Sequence, residues 1–289
     1  MSARFGCVVL SRGRRPDTLK EGVESILRQT GVDVDVVVVG NGWQPDGLPP
    51  RVRTLGLAHN LGIPAGRNAG VPLVSGDFLL FLDDDASLAQ DDALQQVASL
   101  LDRQPDIGVV QLHPIDPDGW PTPGRWIPRL RVGDEYRSSD ICALWEGAIV
   151  VRRETFERSG GWPSSFFYMH EGIDLAWRVW DAGYRVYFAG DILAHHPAAS
   201  GGASNHNGHH RFDARNRVWL ARRNLPLPLG AAYVGVWTAL SLARLRRREQ
   251  GVELLRGALD GLMQPCDGRR PLRWRTAWRM TLAGRPPII

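Results

Sequence analysis

Cysteine and lysine are both scarce in this chain of 289 residues. The three cysteines, Cys7, Cys142 and Cys266, lie far apart in the sequence, and none belongs to a CxxC pair. Such a scattered, odd-numbered set argues against a disulfide framework, a zinc knuckle or thiol redox chemistry, and it predicts a reducing compartment. Residues 1–30 also lack the basic start, apolar stretch and small-residue cleavage site of a secretory signal, so none is expected.

Positive charge is almost entirely arginine, because lysine occurs only once, at Lys20. Residues 211–289 hold 16 arginines and five acidic residues, a net charge of +11, whereas the whole chain carries +4. A basic C-terminal part attached to an acidic body predicts an anionic partner. No recognised nucleic-acid-binding module accompanies these arginines, so we do not expect nucleic acid to be that partner.

Apolar and β-branched runs recur along the first two-thirds of the chain. Those at residues 5–10, 34–39, 77–82 and 107–112 predict buried strands, and apolar residues at helical spacing between them predict helices. This alternation predicts an α/β fold with a doubly wound, mostly parallel sheet and helices on both faces. Residues 114–143 instead mix Pro, Gly, Trp and Arg, which is typical of a functional loop.

A different pattern begins after residue 210. Residues 225–243 contain no charged side chain and are bounded by arginines on both sides. Pro226 and Pro228 weaken a membrane-spanning helix, whereas the flanking arginines fit a segment that lies at a membrane interface. We therefore expect one domain over residues 1–210 and a basic helical extension over residues 211–289. The extension is expected to contact an anionic membrane surface, and a helical hairpin packed on the preceding domain is the alternative.

Asp83, Asp84 and Asp85 directly follow the apolar run at residues 78–82. Neighbouring carboxylates repel and raise one another's pKa, so a cation would stabilise them. Mg²⁺ and Mn²⁺ favour a few carboxylates together with substrate phosphates, and open α/β sheets bind ligands at the carboxyl ends of their strands. The triplet therefore predicts a metal–diphosphate site. The alternative is an acidic loop that caps the next helix.

Several ordered motifs accompany the triplet: Val8–Arg12, Asn60–Gly70, Gly76–Asp85, Gly160–Trp162, Phe166–Arg178 and His195. Taken together over about residues 4–200, these motifs resemble the inverting family 2 glycosyltransferases of the GT-A fold. The resemblance implies a GT-A catalytic domain with a donor-binding half at about residues 1–112 and an acceptor-binding half at about residues 113–210. It also implies a divalent metal, Mn²⁺ or Mg²⁺, and transfer of a sugar from a nucleotide-sugar donor, with a UDP-sugar favoured.

The resemblance assigns expected roles to individual residues. The metal ligands would be Asp85, Asp83 and His195, with the adjacent His196 as the alternative histidine. Donor contacts are expected from Ser11, Arg12, Asn41, Arg67, Asn68, Asp83 and Asp84. Acceptor contacts are expected from Trp145, Glu146 and Trp162, although a tryptophan in the core is equally common. The acceptor would be a hydroxyl of a glycan or of a lipid-linked molecule. Together with the basic, partly apolar C-terminal part, this predicts a cytoplasmic enzyme at the inner face of the cell membrane.

Two glycines depart from the family pattern. The family's general base is an aspartate at the position of Gly172, and glycine cannot take a proton. Glu171 and Asp174 are the candidate replacements, although both could be carboxylates that stabilise a helix N-terminus. Gly40 stands where the family usually has the aspartate that reads uracil, so Asn41 or nearby main chain is expected to contact the base.

Both departures also fit a catalytically inactive glycan- or nucleotide-binding protein on the same scaffold. A sugar nucleotidyltransferase is disfavoured, because residues 11–16 lack the glycine spacing that its loop requires. The sugar and the oligomeric state are left open.

Overall fold

The computed structural model describes residues 2–198 and 208–288, which fold around one mixed β-sheet. The strands are β1 (Ala3–Ser11), β2 (Val32–Asn41), β3 (Arg53–Leu57), β4 (Phe78–Asp83), β5 (Ser87–Leu88), β6 (Ile107–Ile115), β7 (Ser139–Asp140), β8 (Ala148–Arg152) and β9 (Arg185–His195). The helices are α1 (Pro16–Leu27), α2 (Ile63–Gly70), α3 (Ala93–Arg103), α4 (Arg153–Arg158), α5 (Glu171–Asp181), α6 (His209–Asn224), α7 (Leu227–Ala243), α8 (Arg248–Met263) and α9 (Trp274–Leu282).

The strands are ordered β3-β2-β1-β4-β8-β6-β9-β5, and β7 pairs with β9. Strands β1 to β4 are mutually parallel, whereas β8 lies antiparallel between β4 and β6. The predicted α/β fold with a mostly parallel sheet is confirmed, although β8 interrupts it near the centre. Because β8 enters from the opposite direction, the loop before it reaches the same sheet edge at which β1 and β4 end.

Side-chain alternation along the strands divides the core into two layers. In β1, Phe5, Cys7 and Val9 pack in the layer that contains α1 and α3. Val8 and Leu10 point to the opposite layer, which contains α5 and the C-terminal helices. Both faces of the sheet are therefore buried, as expected for strands that are apolar throughout.

The C-terminal helices share a core with the rest of the chain. The Trp177 ring of α5 meets the Tyr233 ring of α7 edge-on at 5.5 Å. Helix α8 packs closely on α6 because the α8 residues that face α6 include glycines. A Cβ on Gly257 would lie 2.2 Å from the carbonyl oxygen of Arg211. Among the helices within residues 2–198 and 208–288, none has the length and apolar character needed to cross a bilayer.

A buried ion-pair network connects α5 to α6. Asp174 is fully buried, and its carboxylate accepts hydrogen bonds from Arg178 Nε at 2.8 Å, Arg223 Nε at 2.9 Å and Asn224 Nδ2 at 2.7 Å. Both arginines are also less than a tenth exposed. Each charge in this network therefore depends on its partners for compensation.

Replacing Asp174 by alanine would leave two buried guanidinium groups without their counter-charge. We expect Asp174→Ala to lower the free energy of unfolding by about 3–5 kcal/mol, measured by urea denaturation. Glu154→Ala is the matched control, because it removes an exposed helical ion pair with Arg158 and should change the free energy of unfolding far less. Equal effects of the two substitutions would contradict a structural role for Asp174.

Candidate active site

The acidic triplet lies at the carboxyl edge of the parallel strands. Asp83 ends β4 and is in register with Leu10 of β1. The Ser11 hydroxyl, at the end of β1, donates a hydrogen bond to Asp84 Oδ2 at 2.7 Å, and Thr18 Oγ1 of α1 donates to the Asp84 carbonyl at 2.8 Å. The ends of two neighbouring strands and the first turns of α1 therefore fix the position of Asp84.

Asp83, Asp85 and His196 form a group that could hold a metal ion. Their potential ligand atoms all lie within 4.8 Å of one another, and His196 Nε2 is 3.2 Å from Asp85 Oδ1. The imidazole is held edge-on by the rings of Trp126 and Trp145, at centroid distances of 4.6 and 5.0 Å. Carboxylate oxygens with one imidazole nitrogen suit Mn²⁺, so the residues present fit the expected cation.

The structure brings His196, rather than His195, to the two aspartates. His195 is the last residue of β9 and is paired with Ser87 of β5. The pairing of β9 with β6 is irregular just before this point, since Ala189 is opposite Leu112 but Leu193 is opposite His113. This irregularity determines which of the two adjacent histidines faces the triplet.

The charges of the triplet are unequally compensated. Burial, together with the charges of Asp85 and Asp83, raises the pKa of Asp84 to about 6. Burial also opposes ionisation of Asp85, but the hydrogen bond and charge of His196 and the guanidinium of Arg15 hold the pKa of Asp85 below its usual value. Arg15 contacts the Asp85 carboxylate directly.

Arg67 lies beneath the triplet and is only 2% exposed. Its Nη2 donates to Asp83 Oδ1 at 2.6 Å and to the Glu146 carbonyl at 3.1 Å, and its guanidinium lies over the Trp162 ring at 5.0 Å. Trp162 is itself 2% exposed and packs edge-on against Phe81 at 5.2 Å. Trp162 was expected to contact the acceptor. In the structure its buried ring lies in the core and supports Arg67.

Two of the expected donor-binding asparagines anchor loops. The Asn68 amide binds the backbone of Trp162, donating to its carbonyl at 2.9 Å and accepting from its N–H at 3.1 Å. Asn41 does the same for the loop before α2, accepting from Leu61 N at 2.8 Å and donating to the Gly62 carbonyl at 3.1 Å. Both asparagines therefore act indirectly: they fix the backbone of loops on the side of the site where the donor is expected.

Trp43, in the turn after β2, was not identified from the sequence. Its indole N–H donates to the Ser11 carbonyl at 2.8 Å, and its ring lies against Gly13. The turn explains Gly40, since a Cβ there would lie 2.2 Å from the Trp43 carbonyl oxygen. Arg12 is exposed beside Ser11 on the same edge.

Three carboxylates surround the first turn of α5. Glu171 is 3% exposed, and its Oε2 has no hydrogen-bond partner within the part of the chain that the structure describes. Glu146 is half-buried, whereas Asp174 is enclosed by its arginine partners. Burial and the charge of Glu171 raise the pKa of Glu146 to about 8, and burial likewise raises the pKa of Glu171. Carboxylates with raised pKa values near a metal group can exchange protons at neutral pH.

The segment leading into α5 is strained. Phe167, Met169 and His170 all have positive φ angles, between 64° and 75°, which non-glycine residues rarely adopt. Asn216 of α6 compensates by donating to the carbonyls of this segment, including Met169 at 2.9 Å, and Asp213 lies 2.8 Å from His170 Nε2. The C-terminal extension therefore helps to position the start of α5.

The mixed sheet, with an Asp-Asp-His group at its carboxyl edge that could hold a metal ion, has the architecture of a GT-A glycosyltransferase. The chain belongs to glycosyltransferase family 2, because the sequence model described as "Glycosyl transferase family 2" matches residues 7–160. It is 26% identical over 214 residues to the O-antigen biosynthesis protein RfbC of Myxococcus xanthus, covering 64% of this chain but only 17% of RfbC. It is 27% identical over 210 residues to glycosyltransferase AglE of Haloferax volcanii, covering 67% of each chain.

Solved structures share the fold at low sequence identity. The mannosyltransferase PcManGT from Pyrobaculum calidifontis, in complex with GDP-Man and Mn²⁺, gives a TM-score of 0.58 at 17% identity, covering 98% of this chain and 85% of that one. S. aureus TarS residues 1–349, in complex with UDP-GlcNAc, gives a TM-score of 0.60 at 13% identity, covering 95% and 83%.

The group formed by Asp83, Asp85 and His196, called the metal group below, leads us to expect different effects of substituting the two adjacent histidines. Because only His196 lies beside Asp85, His196→Ala should weaken Mn²⁺ binding by about tenfold or more. His195→Ala is the matched control and should leave Mn²⁺ binding nearly unchanged. Free Mn²⁺ can be measured by its electron paramagnetic resonance signal during titration. The reverse order of effects would contradict the assignment.

The raised pKa of Asp84 predicts that the free energy of unfolding of the metal-free protein depends on pH. Its pKa is about 6 in the folded chain against an ordinary value of 3.8, so its stabilising contribution is present below pH 3.8 and is lost as the pH rises through 6. Asp84→Asn should therefore stabilise the protein at pH 7.5 in EDTA by about 1–3 kcal/mol, and this gain should shrink towards pH 4. Urea unfolding at both pH values tests this, and a gain independent of pH would contradict it.

Proposed function

We propose that this family 2 glycosyltransferase is a metal-dependent, inverting enzyme that uses a nucleoside diphosphate sugar, with a UDP-sugar favoured. The observation that carries the proposal is the Asp83, Asp85 and His196 group at the carboxyl ends of parallel strands. Open α/β sheets bind phosphorylated ligands at this edge. The carboxylates at the start of α5 add a proton acceptor beside the same edge, which a simple nucleotide-binding protein does not need.

The chain's own residues account for the main requirements of the reaction. Asp83, Asp85 and His196 would hold a divalent cation, which when bound neutralises charge on the diphosphate leaving group. Ser11 ends β1 and Trp43 lies in the turn after β2, on the side of the site where we place the nucleoside. A carboxylate near α5 takes the proton of the acceptor hydroxyl, whose oxygen attacks the anomeric carbon opposite the leaving diphosphate and so inverts that centre.

Relatives support the chemical classes of donor and acceptor. The structural neighbours were solved with GDP-Man and Mn²⁺ and with UDP-GlcNAc. Sequence relatives include the O-antigen biosynthesis protein RfbC and the succinoglycan biosynthesis protein ExoO of Rhizobium meliloti, which is 32% identical over 111 residues, covering 36% of this chain and 32% of ExoO. We infer that the acceptor is a hydroxyl of a cell-envelope glycan or of its lipid-linked precursor.

Calorimetric titration of UDP, GDP and dTDP, with and without Mn²⁺, tests the donor site. We expect one nucleotide to bind in a metal-dependent way, and Asp85→Ala to abolish that dependence because it removes a ligand from the metal group. Release of the bound nucleotide from its sugar donor should then be measured with Mn²⁺ present.

Two results would contradict the enzyme proposal. A folded protein that binds none of the three nucleotides lacks the donor site altogether. A protein that binds a nucleotide but releases none from UDP-glucose, UDP-galactose, UDP-GlcNAc or GDP-mannose fits the inactive binding protein, the second candidate that Gly172 and Gly40 suggest.

We also propose that the C-terminal helices attach the enzyme to an anionic lipid surface on the cytoplasmic side of the cell membrane. Helix α8 buries Leu254, Gly257 and Gly261 against α6, yet its opposite face is also apolar. That face consists of Val252, Leu255, Leu259, Leu262 and Met263, which are 42–83% exposed. Exposed arginines at positions 244, 246 and 247 precede the helix and Arg248 begins it, and this charge favours anionic lipid over a second copy of a basic chain.

Co-sedimentation with vesicles tests this surface. The chain should bind vesicles that contain phosphatidylglycerol more strongly than vesicles of phosphatidylcholine alone. Leu255→Ser combined with Leu259→Ser should weaken binding by about tenfold, because two apolar side chains no longer insert. Leu130→Ser, at an exposed leucine outside the extension, is the control. A dimer that the double substitution dissociates, without vesicle binding, would contradict the lipid assignment.

A further inference from the structure

Gly172 in the first turn of α5 leaves a space that another side chain fills. A Cβ built on Gly172 would lie 2.1 Å from Oε1 of Glu146, 2.6 Å from its Cδ and 2.7 Å from its Cγ. Glu146 Oε1 also accepts a hydrogen bond from the Gly172 N–H at 2.6 Å. The Glu146 carboxylate therefore occupies the volume that any side chain at position 172 would need.

The sheet topology brings Glu146 to the metal edge. Leu82 pairs with Ala148 across the antiparallel strands β4 and β8, and the Asp83 N–H donates to the Gly147 carbonyl at 2.9 Å. Arg67 bridges the two sides by donating from one nitrogen to both the Asp83 carboxylate and the Glu146 carbonyl. Glu146 is thus fixed beside the metal group by backbone pairing and by a buried arginine.

Accessibility separates Glu146 from the other carboxylates. Asp174 is fully buried with its oxygens bound by Arg178, Arg223 and Asn224. Glu171 is 3% exposed, whereas Glu146 retains partial exposure. A general base must come within hydrogen-bond distance of the substrate hydroxyl, and Glu146 is the least enclosed of the three carboxylates.

We propose that Glu146 is the general base of the transfer and that Gly172 is glycine in this chain because it admits the Glu146 carboxylate. In this step the acceptor O–H proton moves to a Glu146 carboxylate oxygen while the acceptor oxygen forms its bond to the anomeric carbon. The bond from that carbon to the donor phosphate oxygen breaks, and its electron pair leaves with the nucleoside diphosphate. The inference rests on the proposed glycosyltransferase activity, and it assigns Glu171 the role of a buried neighbour.

The test uses water as the acceptor, since the natural acceptor is unidentified. Release of UDP or GDP is measured with Mn²⁺ and the four nucleotide sugars named above. Glu146→Gln keeps the size of the side chain and an oxygen for the Gly172 N–H, but it removes the proton acceptor. We expect nucleotide release to fall by about 100-fold or more, with nucleotide and Mn²⁺ binding unchanged.

A relocation experiment distinguishes a proton acceptor from a structural side chain. Glu146→Ala should lose nearly all nucleotide release. The double variant Glu146→Ala/Gly172→Asp should release nucleotide at least about tenfold faster than Glu146→Ala, because the carboxylate then comes from α5 itself. Glu146→Ala with Gly172→Asn is the matched control and should restore nothing. Gly172→Asp alone should impair the protein through collision with Glu146.

Three outcomes would overturn the inference. If the Glu146→Gln variant releases nucleotide at the wild-type rate, Glu146 is not the base, and the proposed transferase activity is unaffected. Loss of release in Glu171→Gln, with Glu146→Gln unaffected, would assign the base to Glu171. A wild-type chain that binds nucleotide but releases none from any donor would overturn the proposed function itself, and the role of Glu146 with it.

Discussion

A buried arginine allows three adjacent carboxylates to end a strand in this protein. Arg67 lies beneath the triplet, with one nitrogen bound to Asp83 and to the backbone of Glu146 and with its guanidinium over Trp162. Without this counter-charge, neighbouring carboxylates at a half-buried sheet edge would repel one another and destabilise the fold. The same ion pair fixes α2, β4 and the loop before β8 relative to one another. The proposed metal group and the proposed base therefore depend on one interaction for their geometry.

The C-terminal extension belongs to this architecture as much as the sheet does. Asn216 donates to the carbonyls of Tyr168 and Met169 in the strained segment, and Asp174 of α5 accepts hydrogen bonds from Arg223 and Asn224 of α6. Strain of this kind persists only where the surrounding structure compensates for it. The extension therefore has two features: α8 exposes apolar side chains, and α6 holds the start of α5 in place.

The sequence predicted the features that depend on local pattern. Apolar runs predicted the strands, and the position of the triplet directly after such a run predicted that it lies at the carboxyl end of a strand. The choice between His195 and His196 was not predictable, because it depends on an irregular pairing of β9 with β6 that reverses which side chain faces the site. The relation of Glu146 to Gly172 was equally hidden, since it arises from an antiparallel strand inserted into a parallel sheet. The enclosure of Asp174 was hidden as well, because Arg223 and Asn224, which bind its carboxylate, lie on α6 and far along the chain.

Anomalous scattering from manganese tests the central claim most directly. Crystals grown with UDP and Mn²⁺ should show one anomalous difference peak enclosed by Asp83, Asp85 and His196 and in contact with the diphosphate. The Asp85→Ala protein under the same conditions should lack the peak. Bound UDP with no manganese at this position, or manganese held by other residues, would contradict the account of a metal–diphosphate site at the carboxyl edge of the sheet.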